Sequence, residues 1–173
     1  VDYLLAFEGR RYPAGTGVAV MGVSGGSAIV FADAGERRGL QICELAPQTQ
    51  QALADVVPNI GAVHNPIDLT AGYFSAANQA KLEAAVRATL ADTGVHALCV
   101  NLATTGKAGS LAAAQVLGKV AMECDKPIAV FSSTPAAEVA EALEVFAQAA
   151  VPVLRSPSRA ARRSCCRAPA AAT

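Results

Sequence analysis

Two loops in this sequence carry the residue types that bind small anions through the protein backbone. The first loop follows a short apolar run and consists of Ser24, Gly25, Gly26 and Ser27. The second loop also precedes a helical segment and contains Thr104, Thr105, Gly106 and Lys107. Glycine lets backbone N–H groups converge on a ligand, and a helix N-terminus adds partial positive charge. We therefore expect both loops to bind a phosphate or a carboxylate.

Neither loop has the residue spacing of a nucleotide-binding motif. A P-loop would require Gly at position 101 and Ser or Thr at position 108, where the chain has Asn101 and Ala108. The dinucleotide pattern G-x-G-x-x-G also fails, because Gly22 is followed by Gly25 and Gly26. The loops contain no aromatic residue that could sandwich a flavin ring. We therefore expect an anion site that binds no cofactor itself, with no catalytic residue and no metal ligand.

The composition limits the partners of the protein. The chain has 173 residues, enough for one domain, and its 14 basic side chains balance 14 acidic ones. It therefore lacks the positive field that binding to a nucleic acid backbone needs. Its cysteines and histidines are not spaced as metal ligands. Without a membrane-length apolar run of ~20 residues or a signal-peptide pattern, we expect a cytoplasmic protein that binds neither nucleic acid nor membrane.

Short apolar runs alternate with helical segments along the chain. Most runs are continuously apolar, which predicts parallel strands that are covered on both faces. The predicted strands are Val18–Met21, Leu40–Leu45, His96–Leu102, Ile128–Phe131 and Val151–Leu154. The predicted helices run approximately over Ser27–Arg38, Gln48–Val57, Ala76–Leu90, Ser110–Glu123 and Pro135–Ala149.

This alternation predicts a flavodoxin-like, three-layer α/β/α fold with a five-stranded parallel sheet of order 2-1-3-4-5. In this order the first and third strands are neighbours, and the chain adds strands to one side of the sheet from the first and to the other side from the third. Ligands of open α/β sheets bind at this switch point. The two glycine-containing loops leave the carboxyl ends of those two strands. We therefore expect them to meet in one crevice.

The chain divides into three parts by composition. Residues 1–15 are predicted to be an incoming helix and a linker rich in Pro and Gly. Residues 16–163 contain the periodic segments and form the predicted domain. Residues 164–173 have no apolar periodicity and are predicted to be a disordered tail. We expect residues 1–15 to be the end of a longer segment of protein.

Two polar residues in the middle of the chain allow two interpretations. Asn65 and Asp68 flank Pro66 in a loop, and the structural interpretation has Asn65 capping the loop and Asp68 accepting backbone N–H groups. The functional interpretation places them at the edge of the crevice, close to the substrate. Lys107 is the cation of the second loop, and the sequence is equally compatible with a lysine that binds the ligand and with a free lysine at the surface. His64 stays open as well, whereas His96 begins an apolar run and is expected to be structural.

Four segments, in order, resemble one known domain. They are "VAVMGVSGGSAIVFADAGERRGLQICEL", "LAPQTQQALADVVPNIGAVHNPIDLT", "LADTGVHALCVNL" and "VPVLRSPSRAAR". From about Gly17 to Arg162 the chain resembles the second flavodoxin-like CoA-ligase domain of the NDP-forming acyl-CoA synthetases. That superfamily includes succinyl-CoA synthetase and ADP-forming acetate–CoA ligase.

The resemblance implies a role in acyl-CoA formation. The family interconverts a carboxylic acid, CoA and a nucleoside triphosphate with acyl-CoA, NDP and phosphate through a phosphohistidine. Two helix N-termini hold the phosphohistidine, and by resemblance the helix after Gly106 would be one of them, with Ser24, Gly25 and Gly26 lining the same site. The complete enzyme would use CoA, ATP or ADP, and Mg²⁺. Its partners would be a CoA-binding domain, a phosphohistidine-bearing domain and an ATP-grasp domain or subunit.

The chain also departs from the family pattern. It contains neither the Ser-His-Thr-Gly nor the Gly-His-Ala-Gly context of the phosphohistidine, and its second loop lacks the usual pair of glycines. We therefore expect a domain or fragment of an acid–CoA ligase that is not catalytically complete by itself. The alternative is a non-catalytic anion-binding or regulatory module on the same scaffold. A flavodoxin-like electron carrier is disfavoured by the loops.

Overall fold

The computed structural model of the protein describes residues 11–102 and 105–164. The predicted incoming helix within residues 1–10 and the predicted tail from residue 165 onward lie outside the described residues, as does Thr104. The part of the predicted linker that is described, residues 11–15, contains no helix or strand.

The described residues form six strands and six α-helices in one alternating order. The strands are β1 Gly17–Gly22, β2 Gln41–Ile42, β3 Ile67–Asp68, β4 Ala97–Asn101, β5 Ile128–Phe131 and β6 Val153–Leu154. The helices are α1 Gly25–Glu36, α2 Pro47–Ala54, α3 Gln79–Ala91, α4 Lys107–Glu123, α5 Ala140–Gln148 and α6 Pro157–Ser164. Short 3₁₀ turns precede α3 and α5, at Ala76–Asn78 and Ala136–Glu138.

The sheet confirms the predicted topology. Its strand order is β2-β1-β4-β5-β6, and every strand pair in it is parallel. These are the five predicted strands in the predicted order. The sequence did not predict β3, which pairs its two residues with Met21 and Gly22 of β1. A run of two residues carries no periodicity from which a strand can be recognised.

Helices cover both faces of the sheet, which gives the three expected layers. On one face α1 and α6 pack together, and Phe31 of α1 stacks on Phe131 of β5 with ring centroids 6.3 Å apart. On the other face α2, α3, α4 and α5 pack side by side over a larger cluster that includes Leu82 and Leu117. All six residues of β1 are buried, as expected for the centre of a doubly covered parallel sheet.

Asn65 completes the outer edge of β1. β2 pairs with the first two residues of β1, and β3 pairs with the last two, which leaves a gap between them. The Asn65 side chain fills that gap: its Oδ1 accepts the Val20 N–H at 2.9 Å, and its Nδ2 donates to the carbonyl oxygens of Val18 and Cys43 at 2.8 and 2.9 Å. The carboxamide therefore takes the place of a backbone peptide in the sheet.

Asp92 fixes the packing of α2 against the turn that follows α3. Its carboxylate oxygens accept the N–H groups of Ala46 and Gly94 at 2.8 and 2.9 Å. Burial opposes ionisation of Asp92, but these hydrogen bonds, with that of Thr49, hold its pKa below the ordinary value. The Asp92 carboxylate thus accepts a hydrogen bond at the N-terminus of α2, where the N-cap residue Ala46 has no polar side chain that could cap the helix.

We expect replacement of Asn65 to destabilise the fold. Asn65→Ala removes the Asn65 hydrogen bonds to the Val20 N–H and the Cys43 carbonyl, and leaves the Val18 carbonyl only its contacts with Cys43, whose N–H donates to it at 3.4 Å. This loss should lower the free energy of unfolding by about 3 kcal/mol. Asn65→Asp should cost more at neutral pH, because a carboxylate would face two carbonyl oxygens, and the loss should shrink as the pH falls and the carboxyl is protonated. Urea unfolding at two pH values measures both effects. The exposed Asn59→Asp is the matched control, and equal stability of all variants would contradict this role of Asn65.

Asp92→Asn tests the second contact. Because the pKa of Asp92 is lowered by folding, its contribution is present above the pKa of the unfolded chain and is lost as the pH falls through the folded value. The variant should lose about 2 kcal/mol at pH ~7, and wild type and variant should converge below pH ~4. Urea unfolding across this range measures the difference, with the exposed Asp125→Asn as control. A difference that does not change with pH would be the contrary result.

Candidate anion-binding site at the carboxyl edge of the sheet

The two predicted loops leave neighbouring strands. β1 and β4 pair over five residues, and the last pair joins Gly22 to Asn101. The strands are so close there that a Cβ at Gly22 would lie 2.5 Å from the Cβ of Asn101. β2 lies on the other side of β1, and β5 lies on the other side of β4. The expected switch point of the sheet is therefore between β1 and β4.

The first loop forms the N-terminus of α1. Ser24 is the N-cap residue, with extended backbone angles, and its carbonyl oxygen accepts the Ala28 N–H at 3.2 Å and the Asn101 Nδ2 at 3.1 Å. The hydroxyls of Ser24 and Ser27 lie 3.3 Å apart. Gly25 and Gly26 are exposed, and a Cβ at either would meet no atom within 4 Å. The first N–H groups of α1, which have no intrahelical acceptor, are therefore open to a ligand.

The second loop forms the N-terminus of α4, one turn earlier than predicted. The helix begins at Lys107 instead of Ser110, with Gly106 as N-cap, and the Ser110 N–H donates to the Gly106 carbonyl at 2.9 Å. The first turns of α1 and α4 contain no acidic residue, and neither N-cap residue makes a side-chain cap hydrogen bond within the described chain. Two positive helix ends therefore lie at adjacent strands of the sheet.

Thr105 is the most constrained residue of this edge. Its carbonyl oxygen accepts the hydroxyls of Ser110 and Thr134 at 3.1 and 3.2 Å, which fixes the loop before α4. The residue is buried, with 8% of its surface exposed. Its Oγ1 has no hydrogen-bond partner among the residues that the structure describes. A buried hydroxyl without a partner carries an energetic cost that a ligand could relieve.

A cavity of about 190 Å³ lies beside this hydroxyl. The residues that line it come from the segments that follow β1, β3 and β4 and from the first turn of α4, and they are Val23, Ala71, Gly72, Phe74, Thr105, Gly106 and Gly109. Gly109 allows the close contact between α4 and the segment before α3, because a Cβ there would lie 2.6 Å from the Phe74 carbonyl oxygen. The segment of residues 71–74 was not predicted to be part of the site.

Asp68 shapes that segment and Asn65 does not reach it. The Asp68 Oδ1 accepts the Thr70 N–H at 2.9 Å, and Thr70 has a φ of 67°, a conformation that a β-branched residue rarely adopts. Gly72 follows with a φ of 80°. Asp68 thus acts as the structural interpretation expects, by accepting a backbone N–H, and its turn leads into the cavity wall. Asn65 is instead used within the sheet.

The remaining candidate groups lie elsewhere or have other partners. Lys107 forms an exposed ion pair with Glu141 of α5 at 2.7 Å. His96 lies before β4, at the opposite end of the sheet, where its Nδ1 accepts the Gly17 N–H at 3.2 Å, consistent with a structural role. Burial raises the pKa of the Cys99 thiol, so it is inert. No group of three or more possible metal ligands occurs among the described residues, and no described helix could cross a membrane.

The expectation that these loops carry no nucleophile motif was wrong at the level of sequence, because Gly22 to Gly26 match the pattern G-x-S-x-G. In α/β-hydrolases this pattern places a serine on a strained turn with a histidine base. Here Ser24 has φ −144° and ψ 103°, an ordinary extended conformation, and its hydroxyl contacts Ser27. The geometry supports a helix cap, with no described histidine bonded to Ser24.

Comparisons with known proteins identify the family and support the fold. Residues 18–159 match the family model of the Ligase-CoA domain. Over 59 residues the chain is 37% identical to the alpha subunit of an ADP-forming acetate–CoA ligase II from Pyrococcus furiosus, which is 34% of this chain and 13% of that subunit.

Solved structures share the fold. A protein from Pyrococcus horikoshii superposes with a TM-score of 0.79 at 22% identity. The superposition covers 95% of this chain and 38% of the Pyrococcus chain. A dinucleotide-forming acetyl-coenzyme A synthetase 1 from Ca. Korarchaeum cryptofilum superposes with a TM-score of 0.76 at 24% identity, covering 95% of this chain and 35% of its own. The chain therefore spans little more than a third of these structures. With the family model covering most of its length, the chain belongs to the Ligase-CoA domain family.

Proposed function

We propose that this chain is the Ligase-CoA part of an NDP-forming acid–CoA ligase, in which α1 and α4 hold a phosphoryl group. The group belongs to an acyl phosphate, or to a phosphohistidine that another part of the enzyme brings. The observation that carries this proposal is the pair of open helix N-termini at adjacent strands, beside a buried Thr105 hydroxyl without a partner.

The electrostatics of the site suit a doubly charged group. Each helix N-terminus acts as roughly half a positive charge, and each is worth up to about 2 kcal/mol to a partly buried anion. Hydrogen bonds from the N–H groups of the first turns to charged oxygens add to this. Donors that are already in place need no reorganisation when charge develops, which is how proteins stabilise phosphoryl transfer without covalent chemistry of their own.

The residues of this chain bind and orient, while the reacting groups come from elsewhere. In the proposed reaction a phosphoryl group passes from an acyl phosphate to a histidine, the histidine nitrogen forms the new P–N bond, and the carboxylate leaves with the electrons of the broken P–O bond. The described residues around the cavity include no histidine, carboxylate or metal cluster that could act in this step. We infer that the other parts of the enzyme supply them.

The described residues do not fit the nucleotide, CoA or Mg²⁺ that the complete enzyme would use. The loops lack nucleotide spacing, and a cavity of about 190 Å³ is smaller than ordinary cofactor sites of ~300 Å³ or more. The Korarchaeum synthetase has also been solved with phosphate and ADP. We propose that ADP or ATP, CoA and Mg²⁺ bind to partner domains, and that this part contributes to the phosphate site in the cytoplasm.

Titration with inorganic phosphate tests this function directly. We expect the amide signals of Gly25, Gly26 and Gly106 to shift in ¹⁵N–¹H NMR spectra, with a dissociation constant on the order of 1 mM. Gly106→Val should weaken binding about tenfold or more, because its side chain would enter open space in the free domain and obstruct only the ligand. Signals that do not move at tens of millimolar phosphate would instead favour the non-catalytic module.

The matched control places the same side chain at another helix start. Ala80 is an exposed residue in the first turn of α3 and does not line the cavity. Ala80→Val should leave phosphate binding unchanged within about twofold. If Ala80→Val and Gly106→Val weaken binding equally, the effect is not located at α4 and the proposed site is wrong.

A further inference from the structure

We propose that His96 is an acid-sensitive latch that holds residues 11–16 against the amino ends of the strands. Near neutral pH the imidazole ring is hydrogen-bonded to the start of β1, and protonation of the ring at mildly acidic pH releases this contact. The latch is independent of the proposed function, because it lies at the end of the sheet opposite to the candidate anion site.

Residues 11–16, here called the strap, lie across the amino ends of the central strands. The Arg11 guanidinium donates to the Ala121 carbonyl, near the C-terminus of α4. Pro13 is buried beside the last residue of α6 and the first residues of β4 and β5. The Thr16 carbonyl accepts a backbone N–H of β2 at 2.9 Å. The strap therefore contacts helices on both faces of the sheet.

Gly17, the residue after the strap, forms a hydrogen bond with the His96 side chain. Gly17 begins β1 and is buried, and its carbonyl accepts the backbone N–H of His96 at 2.8 Å. Before His96 the chain turns away from β1, because the Val95 N–H donates to the Asp92 carbonyl at 3.2 Å. The His96 Nδ1 takes the place of a strand carbonyl at this point and accepts the Gly17 N–H at 3.2 Å. A side chain that titrates thus completes the start of a buried strand.

The imidazole ring also packs against the strap itself. A Cβ at Gly15 would lie 2.6 to 2.8 Å from three atoms of the His96 ring, so the strap backbone lies directly against the imidazole. His96 is half-buried, and a proton can therefore reach the ring without unfolding of the chain. A change at the ring acts on the strap and on the start of β1 together.

Protonation of the ring removes the hydrogen-bond acceptor. A neutral imidazole that accepts at Nδ1 carries its proton on Nε2, and the charged imidazolium carries a proton on both nitrogens. The Gly17 N–H would then face a second N–H donor and lose its partner, which is unfavourable for a buried backbone group. Histidine is the side chain that ordinarily changes its charge between pH 5 and 8. The guanidinium and backbone contacts of the strap keep their protonation states over this range.

The charged groups around the ring are engaged with other partners or form no ion pair with it. The titratable residues of the surrounding elements are Arg11, Tyr12, Arg38, Glu44, Asp92, Asp125 and Lys126. The Asp92 carboxylate already accepts two backbone N–H groups, and Lys126 donates to two backbone carbonyls. No ion pair within the described part of the chain includes His96. Protonation therefore loses a hydrogen bond without gaining a salt bridge.

Amide hydrogen exchange of the full chain, followed by NMR, tests the latch. After correction for the intrinsic pH dependence of exchange, we expect the protection of the Gly17 amide to fall about tenfold between pH ~7.5 and pH ~5.5. The midpoint of this fall should equal the midpoint at which the Cε1–H signal of His96 titrates. The Val20 amide is the internal control, because it also lies in β1 and donates to a side chain, but that side chain, Asn65, does not titrate. Its protection should stay constant within about twofold.

Variants of the two histidines assign the effect to one ring. His96→Asn removes the titration and keeps an acceptor, because the asparagine Oδ1 lies close to the position of the imidazole Nδ1. We expect the protection of Gly17 in this variant to be equal at the two pH values. His64→Asn is the matched control, since His64 is the other histidine of the chain and is exposed. This control should keep the tenfold fall.

Three results would overturn the latch. The first is a wild-type Gly17 protection that does not follow the titration of the His96 ring, including a ring that stays neutral throughout the range. The second is an equal loss of protection at Val20, which would indicate opening of the whole sheet. The third is a fall that persists in His96→Asn. The comparison of the ring and amide midpoints in wild type decides the matter even where His96→Asn does not fold.

Discussion

The close parallel pairing of β1 with β4 is the constraint on which the site depends. These two strands belong to segments far apart in the chain, and their last residue pair brings Gly22 against Asn101 without room for a Cβ. The Asn101 side chain then donates to the Ser24 carbonyl, which ties the end of β4 to the first residue of the α1 cap. α1 begins at Gly25, just after β1, and α4 begins at Lys107, after the loop that follows β4. The pairing therefore holds the loops that lead to both N-termini side by side. A shift in this register would separate the two positive ends.

At the candidate site the helix N-termini provide partial positive charge through the backbone, and side chains fix the backbone by hydrogen bonds. Ser110 and Thr134 both donate to the Thr105 carbonyl, and their role is to fix the loop, while the Thr105 hydroxyl stays without a described partner. Lys107, the residue that the sequence offers as a cation, is engaged with Glu141 at the surface. Such an arrangement favours an anion without supplying an acid or a base.

Much of the fold and part of the site could be predicted from the sequence. The five apolar runs predicted the strands and, through the handedness of crossovers, their order in the sheet. The position of the glycine-containing loops at the switch point followed from the same order. The start of α4 was predicted three residues too late. Lys107 and Ala108 are good helix formers, but Gly109 in the first turn is a poor one, and the helix nevertheless extends back through it to the Gly106 N-cap. β3 and the part that residues 71–74 take in the site were not predicted, since neither segment has a periodic pattern.

The sequence by itself determined the layers, the strand order and the two backbone-donor loops, because these depend on local patterns of apolar residues and on where glycine occurs. Only the tertiary structure decided how Asn65 is used: its side chain bonds to Val18, 47 residues away, and takes the place of a backbone peptide between β2 and β3. It also decided that the Thr105 hydroxyl is buried without a described partner, and that Phe74 lies against Gly109 beside a cavity. These features arise where segments distant in the chain meet, and the geometry of such a meeting is not encoded in either segment alone.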